Sequence, residues 1–159
     1  MPAVADASPL ILLAKLDRLS LLPQLYRQVL IPPAVVRELQ AKRDPTFPAL
    51  ERFISTATVQ APGIVRLLQA LSGHLGSGES EAIALAAEIS DAILVMDDAE
   101  GRQAARELGL RVTGLLGVMV EGKAKGLLPR VAPVLDELVA AGFWLSEAMR
   151  SVVLRSVGE

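Results

Sequence analysis

The sequence predicts a three-layer α/β/α fold with a central parallel sheet, and three observations predict it. Short apolar runs suited to buried strands alternate with longer segments of helical period along the chain. Strands that alternate with helices form a parallel sheet covered on both faces. Two of the runs, Ala3-Val4-Ala5 and Ala92-Ile93-Leu94-Val95-Met96, end directly in carboxylates, Asp6 and Asp97-Asp98. The carboxyl ends of parallel strands are where ligand sites collect. No internal repeat, low-complexity tract or linker interrupts the 159 residues. Residues 1–159 therefore read as a single domain, with a helical C-terminal segment over about residues 130–155 packed on it.

The elements follow in order. Pro2 to Ala5 reads as a buried strand. Ser8-Pro9 opens a helix through Leu16, with Ser8 as N-cap and Pro9 at the first helical position. A short helix covers Leu19 to Tyr26 and a second strand Gln28 to Ile31. Pro32-Pro33 opens a helix that runs to about Ala41. Lys42 to Pro48 is polar and turn-rich, a loop before a helix near Ala49 to Ser55. Thr58 to Gln60 suits a brief strand and Ile64 to Leu71 a helix. The glycine-rich break Ser72 to Gly78 lacks the Lys of a phosphate loop, so it reads as a flexible lead-in. Glu79 to Ile89 is a helix, Ala92 to Met96 a strand, and Ala99 to Leu108 a helix closed by Gly109. Leu110 to Val112 is a strand and Leu115 to Ala124 a helix. Helices over Val131 to Ala140 and Ser146 to Val153 finish the chain, with Phe143 to Leu145 between them as an edge-pairing segment.

Composition excludes several chemistries. The chain is 52% hydrophobic and only 3% aromatic, so aliphatic residues must build the core. Net charge is −2, with 16 basic and 18 acidic residues, so no global positive field advertises nucleic acid. There is no Cys, which removes disulfides and thiol catalysis, and His74 alone rules out multi-His zinc sites. The N-terminus lacks a signal-peptide pattern, and the longest apolar runs are too short to span a bilayer. A cytoplasmic protein without a membrane partner is expected.

The acids carry the chemistry. Asp6 follows a strand, where a turn role is the bland reading. Glu38 borders the apolar face of its helix, where pairing with Lys42 at i+4 is the bland reading. Glu79 shares a helix face with Ala82, Ile83 and Ala86, while Glu81 and Glu88 fall on the opposite, solvated face. A carboxylate facing a core is costly unless paired or metal-bound, although a first-turn Glu also suits the helix dipole. Either Asp97 or Asp98 can cap the next helix, and one cap leaves the other free. Adjacent carboxylates are easiest to sustain near a cation or an arginine, with Arg102 and Arg106 a turn apart. Each bland reading stands alone; together they ask four segments to place acids at strand ends and apolar faces independently. A carboxylate cage suits Mg2+ or Mn2+, and such a metal supports phosphodiester hydrolysis without a nucleophilic Cys or His. Asp6, Glu38, Glu79 and Asp98 are thus the catalytic candidates. Asp6, Glu79, Asp97 and Asp98 are the metal-ligand candidates. Ser8, Arg102 and Thr113 are candidate substrate contacts, and the Lys42-Arg43 loop is a candidate for steering a phosphodiester substrate.

These pieces resemble the PIN-domain ribonucleases, in particular the compact prokaryotic branch long carried as a domain of unknown function. The matching stretches are Asp6 to Ile11, Ile31 to Leu39, Gly78 to Ala86, Asp97 to Arg102, Val112 to Gly117 and Gly142 to Ser146. The likeness covers nearly the whole chain, and its specificity lies in their order and spacing. The resemblance implies a Rossmann-like sheet and a Mg2+- or Mn2+-dependent RNA-cleaving site that leaves a 5′-phosphate and a 3′-hydroxyl. It also implies the toxin half of a toxin–antitoxin pair, held by a small antitoxin protein. By position Asp6, Glu38 and Asp98 match the family's first, second and last acids. Glu79 stands where many members carry Asp, and Met96 where many carry Thr or Ser.

Two rival readings remain. One is a PIN-like module with little or no catalysis that uses its surface for protein partners. The other is a phosphatase of the haloacid-dehalogenase kind, which needs Asp-x-Asp after the first strand; here Ser8 occupies the third position. An apolar C-terminal segment carrying Trp144 adds a possible homodimer.

Overall fold

The computed structural model describes residues 1–42 and 44–159. Its centre is a five-stranded sheet in the order β3-β2-β1-β4-β5, with every pair parallel. The strands are β1 (Pro2–Ala5), β2 (Gln28–Ile31), β3 (Thr58–Val59), β4 (Ile93–Val95) and β5 (Arg111–Thr113). Side chains alternate across the sheet as strand geometry requires. Ala3, Ala5, Val29, Ile31 and Val95 face one core, and Val4, Leu30 and Leu94 face the other.

The helices are α1 (Ala7–Lys15), α2 (Leu21–Leu25), α3 (Pro33–Lys42), α4 (Phe47–Thr56), α5 (Val65–Ser72), α6 (Ser77–Glu88), α7 (Ala99–Glu107), α8 (Leu115–Ala124), α9 (Ala132–Ala140) and α10 (Glu147–Ser156). The first core packs β1 and β2 against Leu10, Leu13, Leu22, Val118, Met119, Leu135 and Leu138. The second packs the opposite face against Ile83, Leu85 and Ala105 of α6 and α7. This is the Rossmann-like α/β/α arrangement the sequence predicts. No helix of the described residues is long and apolar enough to cross a membrane.

Several boundaries differ from the sequence-based expectation. α1 starts at Ala7 rather than after Ser8, with Asp6 extended at the N-cap position and Ser8 exposed. Pro9 is tolerated because it still lies in the first turn, where backbone N–H groups have no intrahelical partner. β5 starts one residue late because Leu110 closes α7: its N–H donates to Ala105 O after Gly109 turns at φ +75°. Phe143 to Leu145 do not pair with the sheet. Phe143 and Leu145 instead pack on the first core, and Trp144 is 83% exposed.

The largest correction concerns α6. Ala82 to Ala86 are all buried, so the helix has no broad solvated face. It packs on the sheet and on α3, α5 and α7 together. Glu81 is accordingly not solvated: its side chain is 16% exposed and accepts from Ala34 N–H at 2.9 Å, with Arg37 at 3.7 Å. A two-face helical pattern fails for a helix enclosed on several sides.

Candidate active site

The chain builds β1, β2 and β3 outward on one side, then returns to place β4 and β5 on the other side of β1. The strand order therefore reverses between β1 and β4. Ligands of open α/β sheets bind at such a switch point, beyond the carboxyl ends of the strands. Asp6 follows β1 there, and Asp97 and Asp98 lie just beyond β4. The register Ala5↔Val95 aligns the two strand ends, and Asp6 N–H extends the ladder to Val95 O at 3.0 Å.

Asp6 is 1% exposed, and its Oδ1 has no hydrogen-bond partner among the described residues. Burial pushes its carboxyl up to about 7, with the Ala7 backbone N–H opposing the shift. The charges of Glu79, Glu38 and Asp98 push it further in the same direction. Those three acids are thus the charged groups Asp6 senses. Gly78, at the start of α6, makes room for Glu38 and for Asp6 itself. A Cβ added there would stand 2.9 Å from Glu38 Oε2 and 3.7 Å from Asp6 Oδ1. The sequence does not reveal this role, because a helix-opening glycine looks like a lead-in until α3 and β1 are brought beside it.

The acids nevertheless have separate local partners. Asp98 caps α7 by accepting from Gly101 N–H at 2.7 Å. Glu38 stands 3.9 Å from Lys42, the i+4 pair. Glu79 folds back against Gly76. Among the described residues, no three acids stand together in an arrangement that holds a metal ion as placed.

Asp97 turns to the other side of β4. Both its oxygens lie 3.2 Å from Leu115 N, the first N–H of α8. Burial raises its carboxyl above the usual range, against the Leu115 N–H and the nearby Arg102. Arg102 in turn donates from Nη1 to Met96 O at 3.0 Å. The doublet therefore caps two different helices, Asp98 through one oxygen and Asp97 through a single shared N–H. Thr113 ends β5 half-buried; its Oγ1 lies beside Gly114 O and against Gly117. Arg43 lies outside the described residues, so of the basic loop only Lys42 is placed. A larger apolar groove of about 570 Å3 runs between α5 and α7, with His74 on its rim, but it contains none of Asp6, Glu38, Glu79 and Asp98.

A PIN-domain family model matches residues 2–159. The chain belongs to the PIN-domain family. PIN domains are a superfamily of metal-dependent nucleases, so a divalent-metal nuclease is the class of activity this membership carries. Among solved structures, the chain is similar to a PilT N-terminus domain protein from the hyperthermophilic archaeon Sulfolobus solfataricus P2. The two share 22% identity over 74% of this chain and 90% of that one, with a TM-score of 0.47. No curated protein matches.

Proposed function

We propose that this PIN domain is a Mg2+- or Mn2+-dependent endoribonuclease, the toxin of a pair whose small antitoxin protein restrains it. The observation that carries the reading is Asp6: a buried carboxylate at the switch point, with an unpartnered oxygen and three further acids acting on it. A lone buried carboxylate in an acidic field is unfavourable, and a bound cation would reverse that penalty. The donor set, all carboxylate oxygen, suits a hard cation. Asp6, Glu79 and Asp98 would hold it. Bound there, the cation supplies charge neutralisation at the phosphate and lowers the pKa of water.

The chain's own residues do the rest. Glu38, whose Oε2 lies by Gly78, would accept a hydrogen bond from the attacking water and take its proton. The water oxygen bonds to phosphorus as the P–O3′ bond breaks and the departing O3′ takes a proton from solvent, leaving a 5′-phosphate and a 3′-hydroxyl. Asp98 Oδ2 accepts from Gly101 N–H, which fixes that carboxylate at the end of β4.

One observation favours the rival binding module: two of the acids around Asp6 have local partners, Asp98 in Gly101 N–H and Glu38 in Lys42. Cleavage of a mixed RNA pool separates the two readings. The wild type should cleave with Mn2+ or Mg2+ and stop in EDTA. Asp98→Asn should lose at least a hundredfold while staying folded, because Asn is an equally good N-cap. Metal-independent cleavage, or equal cleavage by both proteins, would overturn the nuclease assignment at this site. Intact fold with no cleavage by either, in antitoxin-free protein, would favour the binding module.

A further inference from the structure

A second crevice, of about 340 Å3, opens beside the acidic centre at the carboxyl ends of β4 and β5. Asp97 and Arg102 form its polar wall. Val112, Leu116, Val120 and Met149 supply much of the apolar remainder, Met149 coming from α10. Gly114 keeps it open: a Cβ there would fall on Asp97 Oδ1 and stand 2.7 Å from Arg102 Nη1.

We propose that this crevice is a guanine subsite, seating one base of the strand next to the phosphodiester that is cut. The inference rests on the nuclease reading for its place in the reaction, but the binding chemistry is its own. Asp97 and Arg102 bring opposite charges to one wall, which lowers the pull of the crevice on a phosphate. What it presents is an acceptor beside a donor, on an apolar wall that suits the face of a base. Among the described residues, the carboxylate oxygens accept a hydrogen bond from Leu115 N–H alone and so keep lone pairs. Guanine is the base whose edge offers two adjacent N–H groups, N1–H and N2–H, to one carboxylate. Its O6 and N7 are also the acceptors that arginine meets in pairs. Asp98 follows Asp97 directly, which places the bound base next to the candidate centre.

The test is amide NMR of the full chain with guanosine, adenosine, cytidine and uridine 5′-monophosphates. Cleavage of the RNA pool is measured on the same preparation. The guanine nucleotide should shift Gly114, Leu115 and Gly117 saturably, at least tenfold more tightly than the others. Asp97→Asn should weaken that binding at least tenfold, since its carbonyl can still cap α8 but its NH2 group meets the base donors with hydrogens. Met149→Trp, a change at a half-exposed wall residue, should block the crevice without touching the caps. Equal binding of all four nucleotides would reveal a phosphate site and overturn the guanine assignment. Metal-dependent cleavage with no shift in the crevice would overturn it too, and leave the nuclease standing. Selective guanine binding without cleavage would uphold the subsite and remove the nuclease.

Discussion

Burial pushes the Asp6 carboxyl up to about 7, and Glu79, Glu38 and Asp98 push with it. The folded-state value lies above the unfolded value of 3.8. Asp6 therefore contributes stability that is full below the unfolded value and is lost as pH rises through about 7. At roughly 1.4 kcal/mol per unit, the metal-free protein loses on the order of 2–4 kcal/mol from this one group across that window. Asp6→Asn keeps the shape and cannot ionise. In EDTA the variant should match the wild type near pH 4 and exceed it at pH 8, read as urea midpoints. An equal difference at both pH values would show that Asp6 does not titrate in the folded state. The same variant should lose metal-dependent cleavage, so one substitution separates the stability of this residue from its function.

Helix ends are where carboxylates do most of the structural work in this fold, and often from a distant element. Glu81 of α6 caps α3 through Ala34 N–H, and Glu88 accepts from Ile64 N–H ahead of α5. Asp97 serves α8, and Glu159 accepts from Val131 and Ala132 N–H at the start of α9. Each satisfies a donor that the helix itself cannot. Glu81→Ala should cost about 1–2 kcal/mol in a denaturant titration, while Glu81→Gln, which keeps an acceptor, should cost less than half of that. Glu159, held at about 2 by Lys123 and by those N–H groups, has the opposite pH sign to Asp6. Its contribution is present above the unfolded value of 4.5 and is lost as pH falls through about 2. Glu159→Gln should flatten the loss of thermal stability between those values; an unchanged acid limb would exclude the cap. These distant caps also mark what is legible in the chain. β1 and β2 match their expected bounds, because a short apolar run between turn residues is a local signal. Ser146 capping α10 is local too. Glu81 and Asp97 are misread for a common reason: their partners are contiguous only after folding, and no periodicity encodes them. Gly78 is missed likewise, since the carboxylates it admits come from β1 and α3.

At the scale of the molecule, the strand order does what no single motif does. It brings the ends of β1 and β4 side by side although 90 residues of sequence separate Asp6 from Met96. Glu38, Glu79 and Asp98 come near enough to the reversal point for their charges to act on Asp6, and that cost falls on the folded state alone, because the unfolded chain keeps them apart. A ligand that binds only the folded state raises stability by mass action. Carboxylates must also be deprotonated to hold a cation, so this binding depends on pH. The two effects combine into one expectation. Millimolar Mn2+ should raise the thermal midpoint strongly at pH 8, where Asp6 must give up no proton, and weakly at pH 5.5, where it must. The rise at pH 8 should vanish in Asp6→Asn but persist in Glu159→Gln, which changes a distant cap. Differential scanning calorimetry at the two pH values reads all of this. A rise of equal size at both pH values, retained in Asp6→Asn, would place the cation away from the strand ends and break the link between this fold and its proposed chemistry.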